Sequence, residues 1–355
     1  MAERSTIYEV ARRSGVSTAT VSRVMHDGRG FSERTRKKVL DAAGALGWVP
    51  NSAARSLAAR RVGIIGLLFP DLGVASETES ESVLYVDQVI RGAERAATQA
   101  GDAILIAATH SAAGMDLAWR VAGKVDGIVV VAGSLTARDI AAISRRVPVV
   151  VLATGAPRKS RDVVATDNRG GMRDLTTHLV VDHGYTDLVF LAGPARSPDS
   201  NERFAGYREA LDAAGLPVPD APAARGGFTE AGGARAMREL LADRATPPRA
   251  VVAGNDEMAI AALGELARHG LRSPHDVAVT GFDDIASARH VKPTLTTVRQ
   301  PMRESAETAV HLLLDRLRDP EAARRRLMLP TEVVLRRSCG CRPDQSTSGR
   351  TSKES

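Results

Sequence analysis

Several polar residues in this chain share one kind of position. Asp167 and Asn168 follow the run VVAT, Asn255 and Asp256 follow RAVVAG, and Asp283 and Asp284 follow AVTGF. Arg203 lies one turn into a helical stretch after the loop PARSPDSNE. Each stands at the carboxyl end of an apolar, strand-like run or at the start of a helix, and in parallel sheets such ends converge on one crevice. Carboxylates accept hydrogen bonds, a guanidinium donates them in a fork and an amide does both. That mixture suits a neutral polyol gripped by its hydroxyls. Asp256 reads instead as an N-cap and Asp284 as a stabiliser of its own loop.

A second group, VSTATVSRVM (16–25), follows a helix, a Gly and a tight turn. This is the layout of a helix-turn-helix, whose second helix enters the major groove of DNA. With Val21 and Val24 turned inward, Thr18, Ala19, Ser22, Arg23 and His26 share the outer face, because their spacing keeps one side of a helix. Arg23 has the reach for a bidentate contact to guanine, and Thr18 and Ala19 are small enough to approach a thymine methyl. Ser17, Thr20, Ser22 and the amino end of the preceding helix, at Thr6, suit phosphate oxygens.

The elements that position these groups have two textures. Over the first 50 residues the pattern predicts three short helices. Thr6 with Glu9 forms a capping box and Gly15 ends that helix; Ser17 caps the second; Ser32 caps the third, with Val39, Leu40, Ala43 and Leu46 inside, Gly47 closing it and Trp48 covering its end. From residue 62 onward, apolar runs at 62–69, 103–108, 127–132, 147–153, 187–193, 249–254 and 276–282 alternate with helical stretches. Continuous apolar strands separated by helices predict an α/β fold with parallel sheets covered on both faces. There are too many units for one small sheet, so two doubly wound lobes with a ligand cleft between them are expected.

Charge supports the division. The net charge is +6, yet residues 1–61 hold 12 Lys/Arg against 5 Asp/Glu, or +7, which leaves −1 for the remainder. A basic head on a neutral body points to nucleic acid. The two cysteines, Cys339 and Cys341, stand too close together for a disulfide framework, no secretory signal opens the chain, and no apolar run is long enough to span a bilayer, so a cytoplasmic protein without membrane partners is expected. No phosphate loop, dinucleotide glycine fingerprint, nucleophile elbow or nucleophile–base pair occurs, which argues against an enzyme. Cys339-Gly340-Cys341 offers only two soft ligands near the chain end. His178 and His183, five apart, read as helix-end residues, so neither metal nor cofactor is expected.

Residues 6–61, which contain VSTATVSR, VLDAA and PNSAARSL, resemble without a gap the amino-terminal domain of the lactose/galactose-repressor family. DNRGG (167–171), ERFAGYREAL (202–211), AGNDEMAIAAL (253–263) and GLRSPHDVAVTGFDDI (270–285) resemble that family's effector domain. The resemblance reaches to about residue 340. It implies a homodimeric transcription regulator on a pseudo-palindromic operator, with a two-lobed body like the periplasmic sugar-binding proteins. It divides the chain into a helix-turn-helix domain (1–50), a hinge helix (51–61) and an effector and dimerisation domain (62–340); the polar composition of the remainder (341–355) predicts a disordered tail. It places Arg203, Asn255 and Asp283 in the effector site, with Asp167 beside them. One stretch departs from the family: PDLGVASETESESVLYVDQVIR is longer and more acidic than usual and lacks Asn-Pro. Ligand contacts from the amino-terminal lobe therefore do not carry over, and Asp71 and Tyr85 are the nearest replacements.

The hinge NSAARSLAAR is too short and too weakly apolar to be a stable helix alone. Asn51 is an N-cap, Ala54 allows close approach to DNA, Arg55 and Arg60 reach phosphates, and Leu57 is an apolar wedge for the minor groove. The segment is expected to fold only against operator DNA. The favoured effector is a sugar or sugar derivative. A purine co-repressor is the runner-up within the family, disfavoured by an aromatic content of 3%, and a solute-binding transport protein is the alternative of a different class.

Overall fold

The computed structural model describes residues 5–26, 30–48, 61–70, 83–109, 114–152 and 161–342. It divides into two compact units, residues 1–62 and 63–355. The hinge residues Asn51, Ala54, Arg55 and Leu57, the acidic stretch with Asp71 and the tail from 343 lie outside the described residues.

The first unit is three helices: α1 (Ile7–Ser14), α2 (Thr18–His26) and α3 (Glu33–Ala45). Their caps follow the sequence chemistry. The Glu9 carboxylate accepts from the Thr6 backbone N–H at 2.6 Å and from the Thr6 hydroxyl at 3.1 Å. Ser17 accepts from the Thr20 N–H, Ser32 accepts from the Thr35 N–H, and Gly15 ends α1 at φ +70°, where an L side chain would be strained. Val10, Ala11, Val21, Val24, Val39, Ala42 and Ala43 form the core, with Leu46 and Trp48 packed against it. Leu40 departs from expectation: it is 45% exposed, and Ala42 takes the inner place. Val39 and Ala43 fix the buried side of α3, and Leu40 is rotated about a quarter-turn from it.

The second unit runs β1 (Ile64–Pro70), α4 (Val83–Ala100), β2 (Ala103–Thr109), α5 (Gly114–Ala122), β3 (Gly127–Val131), α6 (Ala137–Ile143), β4 (Val149–Leu152), β5 (Asp162–Thr166) and α7 (Asn168–Val181). It continues with β6 (Leu188–Ala192), α8 (Pro198–Ala213), β7 (Ala224–Arg225), α9 (Glu230–Ala242), β8 (Ala250–Ala253), α10 (Asp256–Arg268) and β9 (Ala278–Thr280). It closes with β10 (Thr297–Arg299), α11 (Met302–Arg318), β11 (Arg326–Leu329) and β12 (Glu332–Val334). Two parallel sheets result, ordered β11-β5-β4-β3-β1-β2 and β7-β6-β8-β9, each with apolar clusters on both faces. Every residue of β3 and β8 is buried, which is why these strands read as unbroken apolar runs. No helix among the described residues is long and apolar enough to cross a membrane.

The chain passes between the two sheets three times, after Thr166, after Arg299 and after Leu329. Met172, Leu175 and Leu179 of α7 pack in the second lobe, whereas Met302, Ala306, Ala309, Val310 and Leu313 of α11 return to the first. The first and third crossings are tied together. The Asp167 N–H donates to the Leu329 carbonyl at 3.0 Å and the Thr331 hydroxyl donates to the Asp167 carbonyl at 3.2 Å. Beside β10 and β12, which pair antiparallel, these links form the bridge on which the lobes meet.

Arg316 fastens the returning helix. Its guanidinium donates to both oxygens of Asp162, at 2.9 and 3.2 Å, and to the carbonyls of Pro320, Ala322 and Ala323. Both side chains are essentially excluded from water. Burial alone would raise the Asp162 pKa, but the Arg316 fork and the Arg325 N–H hold it below the usual carboxylate range. Removing one partner of a buried pair typically costs about 3–5 kcal/mol, so Arg316→Ala should lower the unfolding free energy of this unit by about that much in urea melts. The folded pKa is depressed, so the stabilisation is present above the unfolded value and is lost as pH falls through the folded one. An Arg316→Ala melt within about 1 kcal/mol of the parent at neutral pH would contradict this account.

Candidate effector site and nucleic-acid interface

A cavity of about 470 Å³ opens within the second unit at the carboxyl ends of the two sheets. From the first lobe come Phe69 and Pro70 at the end of β1, Val131 at the end of β3, and Tyr85 and Val86 on α4. From the second come Asp199 and Arg203 on α8, Phe228, Asn255, Asp283 and the crossing residue Gln300. Apolar and aromatic walls thus face a polar floor.

Arg203 organises the floor. It is 4% exposed, and its Nε donates to Asn168 Oδ1 and its Nη1 to the Gly254 carbonyl, both at 2.6 Å. Nη2 lies 3.3 Å from Asp283 Oδ1, and the guanidinium stacks 3.8 Å from the Phe282 ring centroid. Asn168 in turn donates to Asp199 at 3.2 Å, and Gln300 donates to Asp283 at 2.6 Å. Burial pushes the Asp283 pKa up to about 6, against the opposing pull of Arg203 and Gln300. Burial, with the nearby negative charges of Asp199 and Asp283, also raises Tyr85.

Asp283 has φ +120° and Asp284 φ +55°, both uncommon for residues with side chains. Such backbone costs about 1–3 kcal/mol and persists where its surroundings hold it. Asp284 supplies that hold: Arg299, at 2.8 Å, Arg289 and Arg336 all pair with its carboxylate, so it is the loop stabiliser its sequence position suggests.

Three expectations need adjustment. Asp167 does not line the cavity; it caps α7, accepting the Gly170 N–H at 2.8 Å, and its neighbour Asn168 reaches Arg203 instead. At the start of α10 the N-cap is Asn255, which accepts the Met258 N–H and donates to the Phe228 carbonyl. Asn255 therefore lines the cavity with much of its bonding capacity already used. Asp256, expected as the cap, is buried inside the lobe, accepting from the Thr297 hydroxyl and the Ile285 N–H; its pKa stands well above the ordinary value, chiefly through burial and then through the charge of Asp283. Tyr85 does line the cavity. Gln300, Asp199 and Phe228 were not anticipated. Gln300 alone carried a signal, as a polar residue two positions after the run TTV.

In the first unit, Ser17, Ala19, Ser22 and Arg23 are exposed and Thr18 and Thr20 half-buried, while Val21 and Val24 are inside. The outer face of α2 is thus the one the spacing predicts. Ser17 and Thr20 bond each other at 2.9 Å at its amino end, beside the amino end of the helix where phosphate is favoured. Arg23 lies over the Phe31 ring at 5.3 Å. His26 ends α2, and its side chain lies outside the described residues.

A basic helix-turn-helix unit and a two-lobed domain with a polar cleft, carried on one chain, define a ligand-responsive DNA-binding regulator. The models for "Bacterial regulatory proteins, lacI family" and "Periplasmic binding protein-like domain" match residues 6–51 and 177–339. The chain is 33% identical to the ribose operon repressor of Escherichia coli (strain K12) over 338 residues, 94% of this chain and 99% of that one. Its fold is similar to the transcriptional regulator CelR in complex with cellobiose, at 32% identity and a TM-score of 0.70, covering 94% of this chain and 100% of that one. It is also similar to the lac repressor dimer bound to operator and the anti-inducer ONPF, at 26% identity and a TM-score of 0.78, covering 95% and 99%. The chain belongs to the lacI family of transcriptional regulators.

The raised pKa of Asp283 is measurable directly. In carbon-13 NMR of aspartate-labelled protein, assigned with Asp283→Asn, its carboxyl should titrate with a midpoint near 6. Arg203→Gln should move the midpoint higher, because it removes the charge that favours the carboxylate. A parent midpoint near 4, the usual carboxylate value, would show the site to be better solvated than this geometry allows.

Proposed function

We propose that this chain is a repressor that binds a pseudo-palindromic operator as a homodimer and responds to a small sugar or sugar derivative held by Arg203, Asp283, Asn255 and Gln300. The observation that carries the reading is the buried Arg203–Asp283 pair, held on strained backbone at the polar floor of a cleft with apolar and aromatic walls. A fixed fork donor beside an acceptor suits vicinal hydroxyls, and flat apolar walls suit the C–H faces of a sugar ring. Relatives named for ribose and a structure holding cellobiose support the same class.

One observation favours the purine reading. The chain has only two Trp, four Tyr and six Phe, yet Phe69, Tyr85 and Phe228 all line this one cavity. An average over the whole chain hides that concentration, and rings so placed suit a flat base as well as a sugar.

Thermal-shift screening of the full chain against ribose, cellobiose, other pentoses and disaccharides, guanine and hypoxanthine separates the two, since a ligand selective for the native state raises the melting temperature. The sugar reading expects a shift with one of the sugars that Arg203→Gln abolishes. A shift confined to the purines would replace it with the purine reading.

For DNA, anisotropy titrations on a site selected from a random pool should lose affinity steeply with salt. Arg23→Ala should weaken the selected site by about 1–3 kcal/mol and relax preference at one base pair. Leu57→Ala should leave folding intact and weaken the selected site far more than random DNA. Unchanged operator affinity in that variant would sink the role of Leu57 as a wedge.

A further inference from the structure

Two pairs of residues that look inert in the sequence meet in space. His178 lies in the last turn of α7, His183 in the loop that follows, and Cys339 and Cys341 on the last turn of the described chain. Their potential ligand atoms all lie within 4.8 Å of one another. We infer that His178, His183, Cys339 and Cys341 form a tetrahedral site for a zinc-class divalent cation, which fastens the segment 339–341 to the end of α7 in the second lobe.

The spacing of the four atoms carries the inference. Zinc takes nitrogen at about 2.0–2.1 Å and sulfur at about 2.3 Å in tetrahedral structural sites. A tetrahedron with those arms has edges of about 3.3 Å between nitrogens and about 3.5–3.6 Å between nitrogen and sulfur. Here the two imidazole Nε2 atoms are 3.1 Å apart. Cys341 Sγ lies 3.4 Å from each of them, and Cys339 Sγ lies 3.7 Å from that of His178. Four soft or borderline donors thus converge from two separate parts of the chain. Two thiolates would balance the charge of a divalent ion, with two thiol protons released to solvent on binding.

The surroundings hold each ligand in place. His178 Nδ1 lies 2.7 Å from Asp182 Oδ2, the carboxylate–histidine arrangement that turns Nε2 toward a metal and raises its basicity. His183 stacks on Tyr185, with ring centroids 5.2 Å apart. The Thr296 hydroxyl donates to Cys339 Sγ at 3.0 Å, and Tyr185 donates to the Cys339 carbonyl at 2.9 Å. Between the cysteines, Gly340 sits at φ +107°, and a Cβ there would press on the Tyr185 hydroxyl and the His183 ring. Glycine is what lets the turn bring both sulfurs to one side. Ser338 docks the same turn onto β9 and its neighbour Thr296 through bonds to Val279 and Thr296, which fixes where the two cysteines stand.

The test uses the full-length protein purified in reductant without chelator, then loaded with zinc chloride and desalted. Elemental analysis should find about one zinc per chain. Loading with cobalt(II) should give the intense visible bands of tetrahedral coordination and a thiolate-to-cobalt band in the near ultraviolet. Cys341→Ser and His183→Ala should lose the stoichiometric ion, and chelation should lower the parent's melting temperature but not that of Cys341→Ser. Selected-operator binding reports that the variants are folded. Less than a tenth of an equivalent of zinc after loading, an octahedral cobalt spectrum, or equal uptake by parent and Cys341→Ser would overturn the site. The cobalt spectrum of the parent decides the question even if both variants fail to fold.

Discussion

A guanidinium buried at the floor of a cleft must satisfy its donors or destabilise the fold. Arg203 meets that requirement with partners from four directions: Asn168 at the first crossing between the lobes, the Gly254 carbonyl after β8, Asp283 after β9, and the ring of Phe282. Much of the second lobe's loop geometry follows from it. Asp283 adopts a costly backbone angle that places its carboxylate by Arg203, Asp284 anchors that turn through three arginines, and Asn255 holds the end of β8 by capping α10. Parallel-strand ends would converge here in any doubly wound fold, but this charge makes the convergence specific.

The same network touches the bridge between the lobes. Asn168 directly follows the first crossing, and Gln300, which donates to Asp283, belongs to the second. A molecule that exchanges hydrogen bonds with this floor therefore bonds residues whose backbone must move if the lobes change their angle. Phe69, Tyr85 and Val131 line the cavity from the other lobe, so an occupant spans both. A ligand shifts a two-state equilibrium only by its difference in affinity for the two states. Contacts drawn from both lobes and from the crossing strands are where such a difference can arise.

How much of this was legible in the sequence depends on the range of the interaction. Strands such as Gly127–Val131 and Ala250–Ala253 announced themselves because full burial on both faces leaves no alternation. Caps such as Ser17 and Ser32 were readable because they act within three residues. The two-residue β7 and the short β10 and β12 carried no period to read. Around the site, besides the unanticipated Gln300, Asp199 and Phe228, the misses were single-residue shifts. At both helix starts the cap belongs to the residue whose side chain turns back onto the first turn, Asp167 and Asn255, and the next residue, Asn168 or Asp256, points elsewhere. Which of two adjacent polar residues does this depends on packing, and the local sequence does not contain it.

The His–Cys cluster marks the far end of that scale. His178 and Cys339 are separated by 161 positions, and each pair taken alone fits an ordinary explanation, a helix end or a chain terminus. Counting ligands by local spacing undervalues any site assembled from tertiary contacts. The more reliable sign lay in residues beside the ligands: a glycine between two cysteines and an aspartate four residues after a histidine. Such residues become intelligible once the fold shows what they support. For the same reason the segment 339–341 is better regarded as part of the second lobe's core, where Cys339 and Cys341 are buried beside Tyr185 and Phe190. Cys339 and Cys341 belong to the same apolar cluster as Phe282, which stacks on Arg203, so what holds the two cysteines also bears on the lobe that carries Arg203.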